Sequence, residues 1–395
     1  MSLRRLPSLL VTFVFVLLGL VPIMARAQAA TPIAGSPTTP IASGLTNPRG
    51  FTWGPDGTLY VALAGSGGAT AATEQAPTSG IIGPFHGGVT GAVAKITNGC
   101  PVAVATGLAS TFDGQGEALG AEDIAFLGGQ LYVSVDGGGP VHGNADHASG
   151  IYKVNADGSA TLVADLSAYL RANPVKTAPS DYDPDADGYR MVADAKGGVL
   201  WVLEPNSGGV LSVKPDGTIA RIADLSAGHP VPSAIVAAPG GGVFIGMLTA
   251  VPFPDGSSKV IKVSAAGAVA EVWTGLTTVT GLAVGADGAL YALELSTGNL
   301  QNPPFLVPGS GKVVKQTGAT TSENVATGLM FPISMGFGPD GGLYVAMPAI
   351  GAENGSGAIL WVGGTKLSGA PSTATCTPIA ETLSPAATPA ATPAA

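Results

Sequence analysis

The sequence predicts an all-β protein, a six-bladed β-propeller of four-stranded blades whose ring is closed by an N-terminal strand that completes the last blade. Three observations carry this prediction. A hairpin pattern recurs six times along the chain. Each copy is followed by a third apolar run, and the first five by a fourth. The fourth run missing from the sixth copy stands instead at the front of the repeat array, as Pro40-Ile41-Ala42-Ser43-Gly44-Leu45.

The first hairpin reads Phe51-Thr52-Trp53-Gly54-Pro55-Asp56-Gly57-Thr58-Leu59-Tyr60-Val61-Ala62. Pro55 fixes the φ wanted early in a tight turn, Asp56 can bond its own backbone, and Gly57 takes the positive φ that other residues resist. The flanking aromatic and branched residues are strand formers. The pattern returns at Ile124 to Val133, Met191 to Val202, Ala234 to Ile245, Gly281 to Ala292 and Ile333 to Val345. Third strands are expected at Val93 to Ile96, Ile151 to Val154, Val210 to Val213, Val260 to Val263, Val313 to Lys315 and Ile359 to Val362. Fourth strands end on Thr106-Gly107-Leu108, Ala164-Asp165-Leu166, Ala223-Asp224-Leu225, Thr274-Gly275-Leu276 and Thr327-Gly328-Leu329. Residues 40–45 share that ending, so the first and last blades join and no sheet edge stays open.

If each inner strand runs from top to bottom, the Pro-Asp-Gly turns lie on the bottom face. The long inserts then gather on top: Ala64 to Thr90, Asp136 to Ser149, Ser167 to Tyr189, Leu248 to Ser258, Ser296 to Gly311 and Pro348 to Gly357. Inserts on one face of a repeat array build its binding surface.

Composition sets further bounds. With 46% hydrophobic and 11% charged residues among 395, the chain can bury a large core and is not of disordered composition. Its 59 Gly and 32 Pro punctuate short apolar runs, as in an all-β protein rich in turns. Lys and Arg number 17 against 26 acids, and a net charge of -9 repels a phosphate backbone, so no nucleic-acid partner is expected. Arg4 and Arg5, the apolar run Leu9 to Val21 and the small-x-small site Ala25-Arg26-Ala27 read as a signal peptide over residues 1–27. The run is shorter than the roughly 20 residues of a spanning helix, so cleavage leaves no transmembrane anchor and a secreted or envelope-associated protein. Residues 28–39 read as a flexible segment, 40–366 as the propeller and 367–395 as a Pro/Ala/Thr-rich tail. In an exported chain, two cysteines favour one disulfide, Cys100 to Cys376, over two free thiols.

Thr46-Asn47-Pro48-Arg49-Gly50-Phe51 before Gly54-Pro55-Asp56-Gly57, Gly120-Ala121-Glu122-Asp123-Ile124-Ala125, and the Asp-rich passage Asp181 to Tyr189 resemble the secreted ScyD/ScyE family. That family is named after proteins encoded beside the genes for the cyanobacterial sunscreen pigment scytonemin, and is similar to NHL-type six-bladed propellers. The resemblance covers Ile41 to Val362. This chain has Ala186-Asp187-Gly188-Tyr189 where the family tends to have an Asn-Pro-Tyr-Gly run. What the resemblance implies is a fold, not a reaction.

Three constellations hold chemistry-bearing residues. Asp183-Pro184-Asp185-Ala186-Asp187-Gly188, with Asp181, has the alternating carboxylates and sharp-turn glycine of a calcium loop, although Asp194, at the twelfth position, falls within the inner hairpin of blade 3. Around the axis on top, inner strands begin near Arg49, Glu122, Asp123, Arg190, Ser233, Thr280 and Ser334, and second strands end near Asp136, Glu204 and Glu294. Converging on a channel mouth, they would bind a ligand or cation, or the arginines would pair with the acids and close the channel. His142 and His147 share one loop with Asn144 and Asp146, a spacing for two imidazoles on one metal without a third fixed ligand. Tyr182, Tyr189, Phe85 and Phe305 in top loops offer stacking surfaces or loop packing. Gly309-Ser310-Gly311-Lys312 lacks the rest of a phosphate loop and reads as a turn. No His-Glu-x-x-His or Gly-x-Ser-x-Gly pattern occurs, and no catalytic residue is assigned. The sequence therefore favours a binding module for a small molecule, glycan or envelope protein. Its alternative is a calcium-dependent hydrolase of the lactonase or esterase propeller type.

Overall fold

Twelve residues from Phe51 to Ala62 form the expected hairpin because its turn satisfies itself. The Thr58 N–H donates to Asp56 Oδ1 (3.0 Å), and Gly57 sits at φ 78°. Asp287 and Asp340 hold their turns in the same way, through Ala289 and Gly342. The computed structural model describes residues 36–74, 84–113, 116–351, 354–364 and 375–379. The expected signal peptide and nearly all of the tail lie outside the described residues.

The blades follow one another around the ring, each an antiparallel meander. Blade 1 comprises Pro48–Trp53, Leu59–Leu63, His86–Thr97 and Cys100–Phe112, with short additions at Thr70–Ala71 and Ala118–Leu119. Blade 2 has Ala121–Leu127, Gln130–Val135, Gly150–Val154 and Ala160–Asp165; blade 3 has Met191–Asp194, Val199–Glu204, Gly209–Val213 and Ile219–Asp224. Blade 4 has Pro232–Ala237, Val243–Met247, Ser258–Val263 and Val269–Leu276; blade 5 has Val279–Val284, Leu290–Glu294, Gly311–Gln316 and Ser322–Leu329. In blade 6, Ser334–Phe337, Gly342–Met347 and Gly357–Gly364 are completed by Thr39–Leu45 from the front of the chain, which pairs antiparallel with the third strand.

Packing lies between blades. Each of the six seams holds its own buried apolar cluster, for example Trp201, Leu203, Ile245 and Met247 between blades 3 and 4, or Leu45, Val61, Tyr344 and Ile359 between 6 and 1. At the rim, each outer turn leans on the outermost strand of the preceding blade. Gly217 and Gly267 pass so close to the carbonyls of Val163 and Ile222 that an added Cβ would come within 2.6 and 2.4 Å. The same contact brings the Ser43 N–H onto Gly99 O (3.1 Å) at the closure seam, and there Cys100 and Cys376 form a disulfide.

Two elements depart from the sequence reading. The third strand of blade 1 starts at His86, inside the stretch expected to be an irregular insert, because Gly87 and Gly88 are packing glycines: a Cβ would strike the backbone of residues 142–143 and 67–68. A helix, Leu166–Ala172, follows blade 2. Asp165 caps it by accepting the Ala168 N–H, and Leu166 and Leu170 are buried in the seam between blades 2 and 3. Among the described residues, no helix is long and apolar enough to cross a membrane.

The disulfide ties residues 276 positions apart across the closure seam. Its removal by Cys100→Ser with Cys376→Ser is expected to cost about 2–4 kcal/mol in a denaturant titration. An unchanged unfolding midpoint would show that strand pairing alone holds the ring.

Candidate functional site

The residues at the tops of the inner strands are brought together, but mostly against one another. The Nε of Arg49 lies 3.2 Å from Glu122 Oε2, and the guanidinium also donates to the carbonyls of Ala349 and Ala118. From blade 3, Arg190 donates to Glu122 O (2.9 Å) and, across the axis, to Ile333 O (2.8 Å) at the start of blade 6. Asp123 accepts the Met191 and Ile124 N–H groups (both 2.9 Å). Ser233, Thr280 and Ser334 each donate to a carbonyl of the next blade: Val279, Pro332 and Arg49. These groups form a collar that stitches neighbouring blades. An axial cavity of about 480 Å³ lies along the inner strands, and Asp123 and Arg190 line it. Its wall residues are half-exposed toward the bottom and buried at the top, so the collar closes the upper end. The expected ligand-binding mouth at Arg49, Glu122, Asp123 and Arg190 is thus a closed, internally paired structure. Glu294 stands apart, bonded to Lys312 (3.1 Å) and the Thr277 N–H.

Beside the collar, over blades 2 and 3, lies a second group. Asp136 ends the blade 2 hairpin, His142 belongs to the loop after it, and Asp187 precedes the inner strand of blade 3. Their ligand-capable atoms lie within 4.8 Å of one another. His142 is fully buried; its Nδ1 contacts Gly138 O (2.8 Å), Phe85 packs edge-on against its ring at 4.9 Å, and Nε2 is 3.2 Å from Asp183 Oδ2. Glu204 Oε1 accepts the Asp187 N–H (3.1 Å), while its other oxygen accepts from Ser207.

The Asp-rich passage does not act as one loop site. Asp181 faces His229 (3.6 Å), Asp183 faces His142, and Asp185 binds Arg171 and the Val141 N–H (2.7 Å). Only Asp187 joins Asp136. Asp194 shapes a bottom turn by accepting from Lys196 and Gly197. The calcium loop is therefore replaced by separate pairings, because the chain turns successive carboxylates toward different neighbours. His147 is exposed and does not share a site with buried His142; Asp146 is also exposed, and Asn144 donates to Ser110 O and Gly137 O as a loop brace. Phe85 and Tyr189 pack inward, Tyr189 beneath the Arg190 guanidinium. Lys312 lies in a strand, as the turn reading of its neighbours requires.

The charges follow the burial. Burial pushes the Asp136 carboxyl well above the usual range against the pull of His142, with Glu122 adding repulsion. Asp187 is raised well above the usual range by burial, then by Asp136 and Asp183. Burial takes Glu204 to about 7 despite its bonds from Ser207 and Asp187. It lifts Asp123 to about 6, opposed by Arg190. For His142, burial favours the neutral ring, yet the Asp183 contact and the Asp136 charge outweigh it and hold the ring at about 9. Glu117, which sequence reasoning missed, is raised to about 7 by burial and by Asp113. Its one legible signal was an acid close before an inner strand in a chain poor in charge.

No protein-family profile matches the chain, and no curated protein matches it in sequence. Among solved structures, it is similar to a Thermus thermophilus protein named as an oxidoreductase (glucose dehydrogenase), with a TM-score of 0.54 and 14% identity over 83% of this chain and 99% of that one. It is also similar to the calcium-binding protein regucalcin of Agrobacterium tumefaciens, with a TM-score of 0.51 and 14% identity over 84% and 95%. The likeness is one of fold. The propeller's own residues must carry any argument about its site.

Two outcomes follow. Arg49→Met leaves Glu122 buried without its partner and is expected to cost about 3–5 kcal/mol in urea unfolding. Glu117 and Asp123 hold protons in the folded chain that the unfolded chain releases near pH 4, so their contribution to stability falls as pH rises toward about 7. In chelator-treated protein, Tm measured from pH 4.5 to 8 should show this decline, and Glu117→Gln should make it shallower.

Proposed function

We propose that the protein is an exported propeller that captures a small molecule, glycan or envelope protein through its top-face loops and has no catalytic residues. The observation that carries this reading is the interlocking of those loops. The Thr73 N–H donates to Pro140 O (3.0 Å) between the inserts of blades 1 and 2, and the Val141 N–H to Asp185 (2.7 Å) between those of 2 and 3. His229 meets Asp181, the Gly298 N–H donates to Asp255 (2.8 Å), and the Gly351 N–H donates to Gly116 O (3.3 Å). A surface already ordered in this way loses little conformational freedom on binding. The hairpin tips of the bottom face are tight, self-satisfied turns around the open end of the axial cavity.

The signal-like front of the chain and its Pro/Ala/Thr-rich tail fit display outside the cell, and the resemblance to the secreted ScyD/ScyE family agrees with it. A second reading is cation-assisted hydrolysis of a lactone or ester at Asp136, His142 and Asp187, favoured by an acid–imidazole group beside the collar. The name of regucalcin, a calcium-binding protein, fits that second reading through the shared fold.

A thermal-shift screen of glycans and small metabolites on the mature chain tests the first reading. A ligand at a hundred times its Kd should add about 2.7 kcal/mol of stability. Tyr182→Ala and His147→Ala on the top face should weaken capture, and Asp56→Ala on the bottom should not. Turnover of a lactone or ester that EDTA abolishes would replace binding by hydrolysis.

A further inference from the structure

We infer that Asp136, His142 and Asp187 bind one divalent first-row transition-metal cation, such as zinc, manganese or cobalt. The three donors come from three separate segments, and their atoms lie within 4.8 Å of one another. Metal–nitrogen and metal–oxygen bonds of about 2.0–2.2 Å allow one ion to gather them by small side-chain rotations.

The imidazole supplies an independent pointer. His142 Nδ1 is placed to donate to Gly138 O (2.8 Å), the outer-sphere bond that fixes a ligating histidine and makes Nε2 the ligating atom once an ion displaces its proton. Nε2 is fully buried and makes no hydrogen bond of acceptable geometry, even though Asp183 Oδ2 is 3.2 Å away. The Asp136 carboxylate and the Asp187 backbone are braced as well. Asp136 Oδ1 accepts the Gly137 N–H, and Asp187 is held through its own N–H by Glu204, which Ser207 fixes in turn.

Charge points the same way. The carboxyls of Asp183, Glu204 and Glu122 stand around the group. The cationic side chains nearby are engaged elsewhere: Arg49 with Glu122, Arg171 with Asp185. Among the described residues, no lysine or arginine forms a salt bridge with Asp136 or Asp187. A dication supplies the missing compensation, and one imidazole with two carboxylates suits a borderline metal, whereas calcium takes six to eight oxygens. Bound there, the ion ties the blade 2 loop to the entry of blade 3. The site does not depend on whether the top face binds or hydrolyses its ligand.

The test uses the mature chain, stripped with dipicolinate and titrated calorimetrically with Zn²⁺, Mn²⁺, Co²⁺ and Ca²⁺. One equivalent of a transition-metal ion should bind and raise Tm, and Co²⁺ should give visible absorption bands that His142→Gln alters. Asp136→Asn and His142→Gln should each weaken binding by about 100-fold or more. Asp194→Asn, on the bottom turn, should bind as the parent does. If His142→Gln does not fold, Asp187→Asn takes its place. Absence of any one-to-one transition-metal binding, binding of calcium alone, or unchanged affinity in the folded variants would overturn the site. The group would then be a proton-sharing network with a His142 imidazolium on Asp183.

Discussion

The contact between Arg49 and Glu122 closes the top of this propeller, and the collar built around it sets what the rest can do. Six inner strands turn their unpaired edges toward the axis, and their first residues crowd together there. The chain places hydroxyls, carboxylates and guanidinium groups at these positions, each reaching the neighbouring blade's backbone. A guanidinium buried at 3% exposure is tolerable only because Glu122 and two carbonyls surround it. That closure commits the polar groups of the collar to neighbouring blades rather than to the space above them.

Much of this architecture was legible. Gly57, Gly288 and Gly341 mark hairpins because a positive φ excludes most other residues, and the displaced strand at residues 40–45 reveals a ring because only closure uses it. The positions of the collar were legible too, since they recur at the same point of each repeat. Their partners were not. A sequence gives the place of Arg190 along a strand but not that its side chain crosses the axis to Ile333.

The candidate site was harder still, for a geometric reason. Asp136, His142 and Asp187 belonged to three different patterns in the sequence, an axial ring, a histidine pair and a calcium-like loop, and only the docking of blade 2 loops on blade 3 unites them. The alternating aspartates looked like one site because spacing suggests a shared direction. A chain passing over a crowded surface instead hands each carboxylate to whichever donor is near, as Asp181 to His229 and Asp185 to Arg171. Gly87 and Gly88 misled in the opposite sense: glycine reads as loop, yet here it permits two backbones to touch.

The disulfide at the closure seam gives the chain a defined path for mechanical load. Cys376 lies beside Ser43 and Gly44 of the N-terminal strand but is bonded to Cys100, the first residue of the fourth strand of blade 1. Tension applied beyond residue 379 therefore passes through a covalent bond into blade 1. The hydrogen bonds joining residues 39–45 to blade 6 are bypassed, so they are not peeled apart one by one. A propeller tethered by its tail would keep its ring shut under traction, with the N-terminal strand shielded from the force.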